Sequence, residues 1–469
     1  MSTICAPATA PGGAIAVVRV SGPEAVAITS RIFSKDLTQA KGYSLHYGNI
    51  HTFCESGAES TPHTTGSDAI IDDVLVSVFR APHSYTGEDS TEISCHGSRY
   101  IIQKIIESLI CAGARMATPG EFTKRAFLAG KMDLSQAEAV ADLITSGNEA
   151  THRMALSQMR GGFSKELETL RDQLLHLTSL LELELDFSDH EDIEFADRQQ
   201  LRELTDTLYR HIQILTDSFR TGNALKNGIP VTIIGAPNVG KSTLMNALVH
   251  EERAIVSDIQ GTTRDLIEDT IQIDGITFRF IDTAGIRKTT DRIEQMGIER
   301  SLQAAKKADI IILLTEPNKN FPDIRIPHSP ETPDLPIVLR VINKSDLIMP
   351  DSSFLYHRQQ PKQDIHISSM TGAGMPILQK ALTDAANRIL SYTNGGDHTI
   401  VTNLRHYEAL HHSLEAVSRV KHAIADNIPG DLIAEDLRQC LHHLGEITGG
   451  EITSDEVLAN IFKNFCIGK

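Results

Sequence analysis

The chain has 469 residues, with 44 Lys+Arg against 61 Asp+Glu and a formal net charge of −17. That length suits two to four domains at about 100–200 residues each, and 41% hydrophobic with 22% charged residues excludes a disordered or fibrous chain. The acidic balance excludes an indiscriminate nucleic-acid coat, which needs a large positive field, but leaves room for a local basic site.

Residues 1–118 mix β-like runs (Ala14–Val20, Asp73–Phe79, Thr91–Cys95) with a helix at Ser98–Ala112, an α+β texture. Thr118-Pro119-Gly120-Glu121 predicts a helix start, with Pro in the first turn. From there to residue 222 the chain is helical: Leu134–Ile144, Glu149–Met159, Lys165–Leu185 and Arg198–Arg220, with breaks predicted at Thr221-Gly222-Asn223 and Asn227-Gly228. Residues 223–393 alternate strands (Pro230–Gly235, Ile276–Ile281, Asp309–Leu314, Ile337–Ile342) with helices (Ser242–Val249, Ile298–Lys306, Ile377–Leu390), the rhythm of a mostly parallel sheet. After Asn394-Gly395-Gly396, residues 394–469 return to helix at Asn403–Asp426 and Ile433–Leu444. An α/β segment flanked by helices suggests an insertion into one helical domain.

Six cysteines lie scattered without a C-x-x-C pair. Met1–Pro11 has no basic-then-apolar leader, and the apolar run Ile310–Leu314 is far below the ~20 residues of a membrane span. A reducing cytoplasm with free thiols, and no membrane partner, is the expectation.

Gly235-Ala-Pro-Asn-Val-Gly240-Lys241-Ser242 matches G-x-x-x-x-G-K-[ST] between an apolar run and a helix. Backbone amides from Asn238 to Thr243, Val239 included, suit a phosphate cradle; Lys241 suits the β- and γ-phosphates, and Ser242 suits Mg²⁺. Asp282-Thr283-Ala284-Gly285 follows a strand, placing a carboxylate near Mg²⁺ and an amide near the γ-phosphate. Asn343-Lys344-Ser345-Asp346 follows another strand, and the Asp346 carboxylate can accept both N1–H and the N2 amine of guanine, a donor pair adenine lacks. Ser368-Ser369-Met370 suits a backbone contact to the base. The order and spacing are those of a Ras-like GTPase. Gly261-Thr262-Thr263-Arg264-Asp265 stands where a first switch belongs, with Thr263 completing the Mg²⁺ shell.

Ile286 stands where Ras-type proteins carry a water-orienting glutamine, and no arginine finger is identifiable. Glu294 is a candidate to orient water, although by spacing alone it reads as a solvated acid at a helix start. Asn238 is a candidate to hold a cation against the β/γ-phosphates.

Over essentially its whole length the chain resembles the MnmE/TrmE family of tRNA modification GTPases, on the Gly-Thr-Thr-Arg-Asp switch and the ending Phe465-Cys466-Ile467-Gly468-Lys469. The resemblance implies a folate-binding, dimerising domain (1–118), a helical domain in two parts (119–222 and 394–469), and a Ras-like P-loop G domain (223–393) inserted in it. It implies K⁺ on Asn238, Ser257, Ile259 and Thr262, with Glu294 positioning water. It carries folate contacts onto Arg19, Glu92, Lys131 and Lys469, each a surface charge from the residues alone. Cys466 would face the folate and take part in the modification; alone it reads as an inert thiol.

The implied activity is K⁺-dependent GTP hydrolysis that serves to build an aminomethyl or carboxymethylaminomethyl group at carbon 5 of wobble uridine in tRNA. A 5-formyl-tetrahydrofolate-like carrier would supply the carbon, and a flavin-dependent MnmG/GidA partner the redox chemistry. The chain itself would act as a homodimer. The alternatives are a regulatory or ribosome-assembly GTPase without base modification, and a folate-binding scaffold with a switching G domain.

Charge is uneven. Glu182–Asp197 holds eight acids and no Lys or Arg, whereas Arg99–Lys131 holds six bases and two acids, a local +4 suited to a folate tail or tRNA phosphates.

Overall fold

The structure, a computed structural model, describes residues 2–53, 69–186, 198–251, 269–281, 303–322, 336–347, 364–391, 399–426, 428, 430–450, 462, 465 and 468. The chain divides into two compact units, one of residues 1–145, 155–204 and 419–469, the other of residues 146–154 and 205–418.

The first unit opens with a six-stranded sheet in the order β3-β4-β5-β2-β1-β6. Its strands are β1 (Ile4–Pro7), β2 (Ile15–Ser21), β3 (Ser44–His51), β4 (Ile70–Phe79), β5 (Ser90–His96) and β6 (Arg115–Met116). Neighbours pair antiparallel except β1 and β6. Alternation sends Val18, Val20, Val74, Val76, Val78 and Ile93 to one face, where helices α1 (Ala25–Ile32) and α2 (Arg99–Cys111) cover them with Ile28, Ile32, Ile105 and Leu109. Each such side chain buried contributes roughly 1.5–3 kcal/mol. The same alternation turns Arg19 and Glu92 to the opposite face, directly across from one another in the β2–β5 register.

Helices α3 (Glu121–Leu128), α4 (Leu134–Thr145), α5 (Glu149–Met159), α6 (Gly162–Asp186) and α7 (Arg198–Asn227) follow. The start of α3 lies later than the sequence suggests: Gly120 is the N-cap, so Pro119 precedes the helix, and the Glu121 carboxylate accepts the Thr118 N–H at 3.0 Å. Arg125, 4% exposed on its side chain, is held by Glu88 (2.8 Å) and Glu121 (2.9 Å), and Arg115 also pairs with Glu121 at 2.5 Å. Burial alone would raise the Glu121 pKa, but the donors on Arg115, Thr118 and Arg125 outweigh it and hold it at about 2. A depressed folded-state pKa stabilises the fold above the unfolded value of 4.5 and loses that contribution as pH falls towards 2. Chemical denaturation across this window is expected to show a smaller acid-dependent loss in Glu121→Gln than in the wild type; identical slopes would remove Glu121 from the acid response.

The second unit contains a sheet in the order β12-β11-β10-β7-β9-β8. Its strands are β7 (Ile229–Gly235), β8 (Asp269–Ile273), β9 (Ile276–Phe280), β10 (Ile310–Thr315), β11 (Ile337–Ile342) and β12 (Ile365–His366). All pairs are parallel except the β8–β9 hairpin. Asp274 (φ 50°) and Gly275 (φ 77°) turn that hairpin with the two positive φ angles its twist requires. Helices α8 (Lys241–Glu251) and α9 (Met375–Ser391) cover one face, where Leu244, Leu248, Leu378 and Leu382 meet Val231, Ile310, Ile312 and Leu314. Central β7 and β10 are mostly apolar and almost wholly buried because both faces are covered.

One predicted break is absent: α7 runs through Thr221-Gly222-Asn223 to Asn227, and only Asn227-Gly228 ends it. Gly222 serves close packing instead, since a Cβ there would lie 2.0 Å from the Val401 carbonyl oxygen. The remaining helices are α10 (Leu404–Ala425) and α11 (Gly430–Thr448), joined in the first unit by Arg419, which reaches Asp436 (2.7 Å) and Gln439 (2.8 Å). Among the described residues no helix is long and apolar enough to cross a membrane.

Candidate functional site

In the second unit the carboxyl ends of β7, β10 and β11 converge, the usual location of a ligand site on a parallel sheet. β7 leads into the phosphate loop, where Asn238 (φ 63°) and Gly240 (φ 94°) bend the backbone before α8 begins at Lys241. Such a bend followed by a helix N-terminus presents amides to an anion. The Lys241 ammonium rests on the loop's own carbonyls, Gly235 O at 2.8 Å and Ala236 O at 3.0 Å. Burial lowers its pKa below the ordinary lysine value, so an anion arriving there would meet a partly desolvated cation. Ser242 and Thr243 are exposed, as hydroxyls awaiting a metal or phosphate must be. Asn238 is also exposed, and among the described residues only its carbonyl is engaged.

Asn343, immediately after β11, is 2% exposed and ties three segments together. Its Nδ2 donates to Val239 O in the phosphate loop at 2.9 Å, and its Oδ1 accepts from Ser369 N (3.0 Å) and Ser369 Oγ (2.9 Å). The Ser369 N–H is thus bonded to Asn343, whose buried amide oxygen needs donors. The Ser369 hydroxyl supplies a second donor. Ser345 is fully buried and bonds Ile342 O and Ile367 O, leaving Asp346 exposed on a short 3₁₀ turn where its carboxylate is accessible. Ser368 is buried, while Met370 is 88% exposed.

Lys344 adopts a left-handed φ of 57° and sends its ammonium to Asn238 O (2.7 Å) and Glu316 Oε1 (2.5 Å). Sequence reasoning missed Glu316. The only signal was an acid directly after the apolar strand β10, beside the phosphate-loop strand.

In the first unit, Arg19 Nη2 and Nε meet Glu92 Oε1 at 2.7 and 2.9 Å, and the guanidinium lies over the rings of Tyr85 (5.4 Å) and Phe122 (5.7 Å). Arg19 Nη1 also donates to Gly468 O at 3.3 Å, so the C-x-G-K glycine reaches the sheet. Lys131 is exposed and borders Gly87, two residues beyond Tyr85. A cation, a carboxylate with Oε2 outside the pair, and the part-exposed ring of Tyr85 match the chemistry of a pterin with an anionic tail, so the residues present fit a folate. In this structure the Arg19 guanidinium is committed to Glu92. Of the six bases in Arg99–Lys131, Lys104 pairs with Glu107 and Arg115 with Glu121, both acids of the same stretch, while Arg125 also takes Glu88 from outside it, so the local excess is only slightly reduced.

Ser257, Ile259, Thr262, Thr263, Asp282, Thr283, Ala284, Gly285, Glu294, Cys466 and Lys469 lie outside the described residues.

The phosphate loop on a central parallel strand, tied through Asn343 to Ser369, defines a P-loop GTPase domain. Family models match along the chain, "GTP-binding protein TrmE N-terminus" over residues 3–131 and "MnmE helical domain" over residues 134–466. Relatives named tRNA modification GTPase MnmE include one from Parabacteroides distasonis, 53% identical with 100% of both chains covered. Another, from Phocaeicola vulgatus, is 51% identical over 100% of this chain and 99% of that one. The FeoB G-domain of Methanococcus jannaschii, a solved structure, is 20% identical over 34% of this chain and 98% of that one, with a TM-score of 0.21. The chain belongs to the MnmE/TrmE family of tRNA modification GTPases.

Proposed function

We propose that this chain, by family a GTP hydrolase of tRNA modification, is a K⁺-dependent GTPase that works with a flavin-dependent MnmG/GidA partner on wobble uridine. Together they use a reduced-folate carbon to form the (carboxymethyl)aminomethyl group at C5. The G domain is inserted in the helical domain, the protein is a cytoplasmic homodimer, and 5-formyl-tetrahydrofolate or a related folate sits at Arg19, Glu92, Lys131 and Lys469. The observation that carries this reading is the seating of Gly468 on Arg19, which brings part of the C-x-G-K segment to the Arg19–Glu92 pair.

Each residue has a physical task. Asp346 accepts the guanine donor pair, and the phosphate-loop amides and Lys241 hold the phosphates. Ser242 and Thr263 hold Mg²⁺, and Asn238, Ser257, Ile259 and Thr262 hold K⁺; when bound, these cations offset charge on the phosphates. Asp282 and Gly285 flank the metal and the γ-phosphate. Glu294 orients the attacking water, the task for which Ile286 has no polar atom. Cys466 stands with the folate residues.

The test is reconstitution with the flavin partner, tRNA, GTP, K⁺ and a reduced folate, followed by nucleoside analysis. Modified uridine is expected only with all components, and replacing K⁺ by Na⁺ is expected to slow GTP hydrolysis by about tenfold or more. Glu294→Ala is expected to lose turnover while GTP affinity stays within about twofold, since the water-orienting group does not bind substrate. Normal GTP hydrolysis with neither folate binding nor modified uridine would replace this reading with that of a regulatory GTPase.

A further inference from the structure

We infer that Glu316 is a positioning residue of the nucleotide site, clamping Lys344 across the phosphate loop and thereby slowing nucleotide release. The inference rests on the GTP-binding reading above and extends it to a residue outside the nucleotide motifs. Lys344 starts in the base-reading turn and ends on Asn238 O of the phosphate loop. A nucleotide bound to both elements has its nucleoside between them, so the alkyl stem of Lys344 flanks that nucleoside. The stem has four rotatable bonds, and the Asn238 carbonyl alone is a neutral acceptor on an exposed loop residue.

Glu316 supplies the charged anchor. It follows β10, the strand between β7 and β11, and so stands between the loop that each of them feeds. Its two oxygens are divided: Oε1 takes Lys344 at 2.5 Å, and Oε2 takes Lys319 at 2.6 Å. Hydrogen bonds from Lys319 and then Lys344 hold its carboxyl below the ordinary glutamate range, so it is ionised at neutral pH. Its side chain is 17% exposed, against 38% for Lys344 and 65% for Lys319. Lys319 therefore caps the clamp from the solvent side, and the Lys344 bond is the more sheltered of the two. The left-handed φ of Lys344 is a strained conformation, which a fixed destination for its side chain helps to offset.

The clamp engages only the backbone carbonyl of Asn238, not the side chain assigned to K⁺, and it does not include Asp346, which reads the guanine edge. Its loss is therefore expected to speed release of GDP and GTP alike and raise KM, with kcat and the preference for guanine over hypoxanthine unchanged. Stopped-flow release of fluorescent GDP, GTP and IDP from the full chain reads this directly. Glu316→Ala is expected to release each about fivefold faster, the size of a partly exposed ion pair, with Glu316→Gln between it and the wild type. Lys344→Ala and the double variant Glu316→Ala/Lys344→Ala are expected to match each other, because Glu316 acts through Lys344. Lys319→Ala is expected to release nucleotide at the wild-type rate.

Wild-type release from Glu316→Ala would overturn the proposal, as would additive effects in the double variant. So would a Lys319→Ala defect equal to that of Glu316→Ala, since it would assign the effect to the loop as a whole. A wild-type chain that binds no guanine nucleotide would instead overturn the GTP-site reading itself.

Discussion

Asn343→Ala is expected to weaken GTP and GDP binding by about 30- to 1,000-fold, the equivalent of roughly 2–4 kcal/mol, while the N-terminal sheet stays folded. Asn343 acts as a linker: its amide joins Val239 of the phosphate loop to Ser369. Truncation leaves the Val239 carbonyl and the Ser369 N–H and hydroxyl without this partner, at a position only 2% exposed. Unpaired buried polar groups cost about 1–3 kcal/mol each, and the two segments would separate to reach water. Asn343→Asp keeps the shape but turns a carboxylate oxygen towards the Val239 carbonyl, and a comparable loss is expected. Nucleotide titration measures the effect, and unaltered folate binding confirms that the first unit is intact. An affinity within threefold of wild type in both variants would show that the loop holds its shape without this link.

Much of this site was legible because its chemistry and its fold share the same residues. The motif Gly235–Ser242 requires a strand before it and a helix after it, and β7 and α8 lie there. Asn343-Lys344-Ser345-Asp346 needs a strand end, and β11 stops at Ile342. Long apolar-periodic helices such as Glu149–Met159 were equally plain. Short strands were not: β1 and β6 have four and two residues, too few for a period-two pattern to emerge. Gly222 misled because glycine marks both breaks and close approaches, and only the Val401 carbonyl distinguishes them. Glu316, Tyr85 and the Glu88–Arg125 pair were hidden for a different reason. Their partners are distant in sequence, Glu316 from Lys344 and Arg125 from Glu88, so local charge counts cannot see the pairing.

Gly468→Ala is expected to lower tRNA modification by about tenfold or more while GTP hydrolysis stays within about twofold, a split that a general folding defect would not produce. Gly468 has φ 94°, a region that side chains rarely enter, and a Cβ there would lie 2.1 Å from Pro7 O, a strand backbone atom. Neither obstacle yields to a rotamer change, so the Gly468 carbonyl must leave Arg19. The Arg19–Glu92 pair survives, because its 2.7 Å contact is fixed by the β2–β5 register. Folate binding without modification is therefore the expected phenotype if the tail contributes to chemistry more than to affinity. Chirality supplies the control. Cys466 permits ligation of a synthetic Cys-Ile-X-Lys segment to the preceding chain, with Gly, L-Ala or D-Ala at the third position. A D-residue tolerates positive φ and directs its methyl away from the L-Cβ position that meets Pro7. Modification is expected with Gly, lost with L-Ala and restored at least in part with D-Ala. Equal activity of the L-Ala and Gly proteins would show that the seating of Gly468 on the sheet is not needed for the reaction.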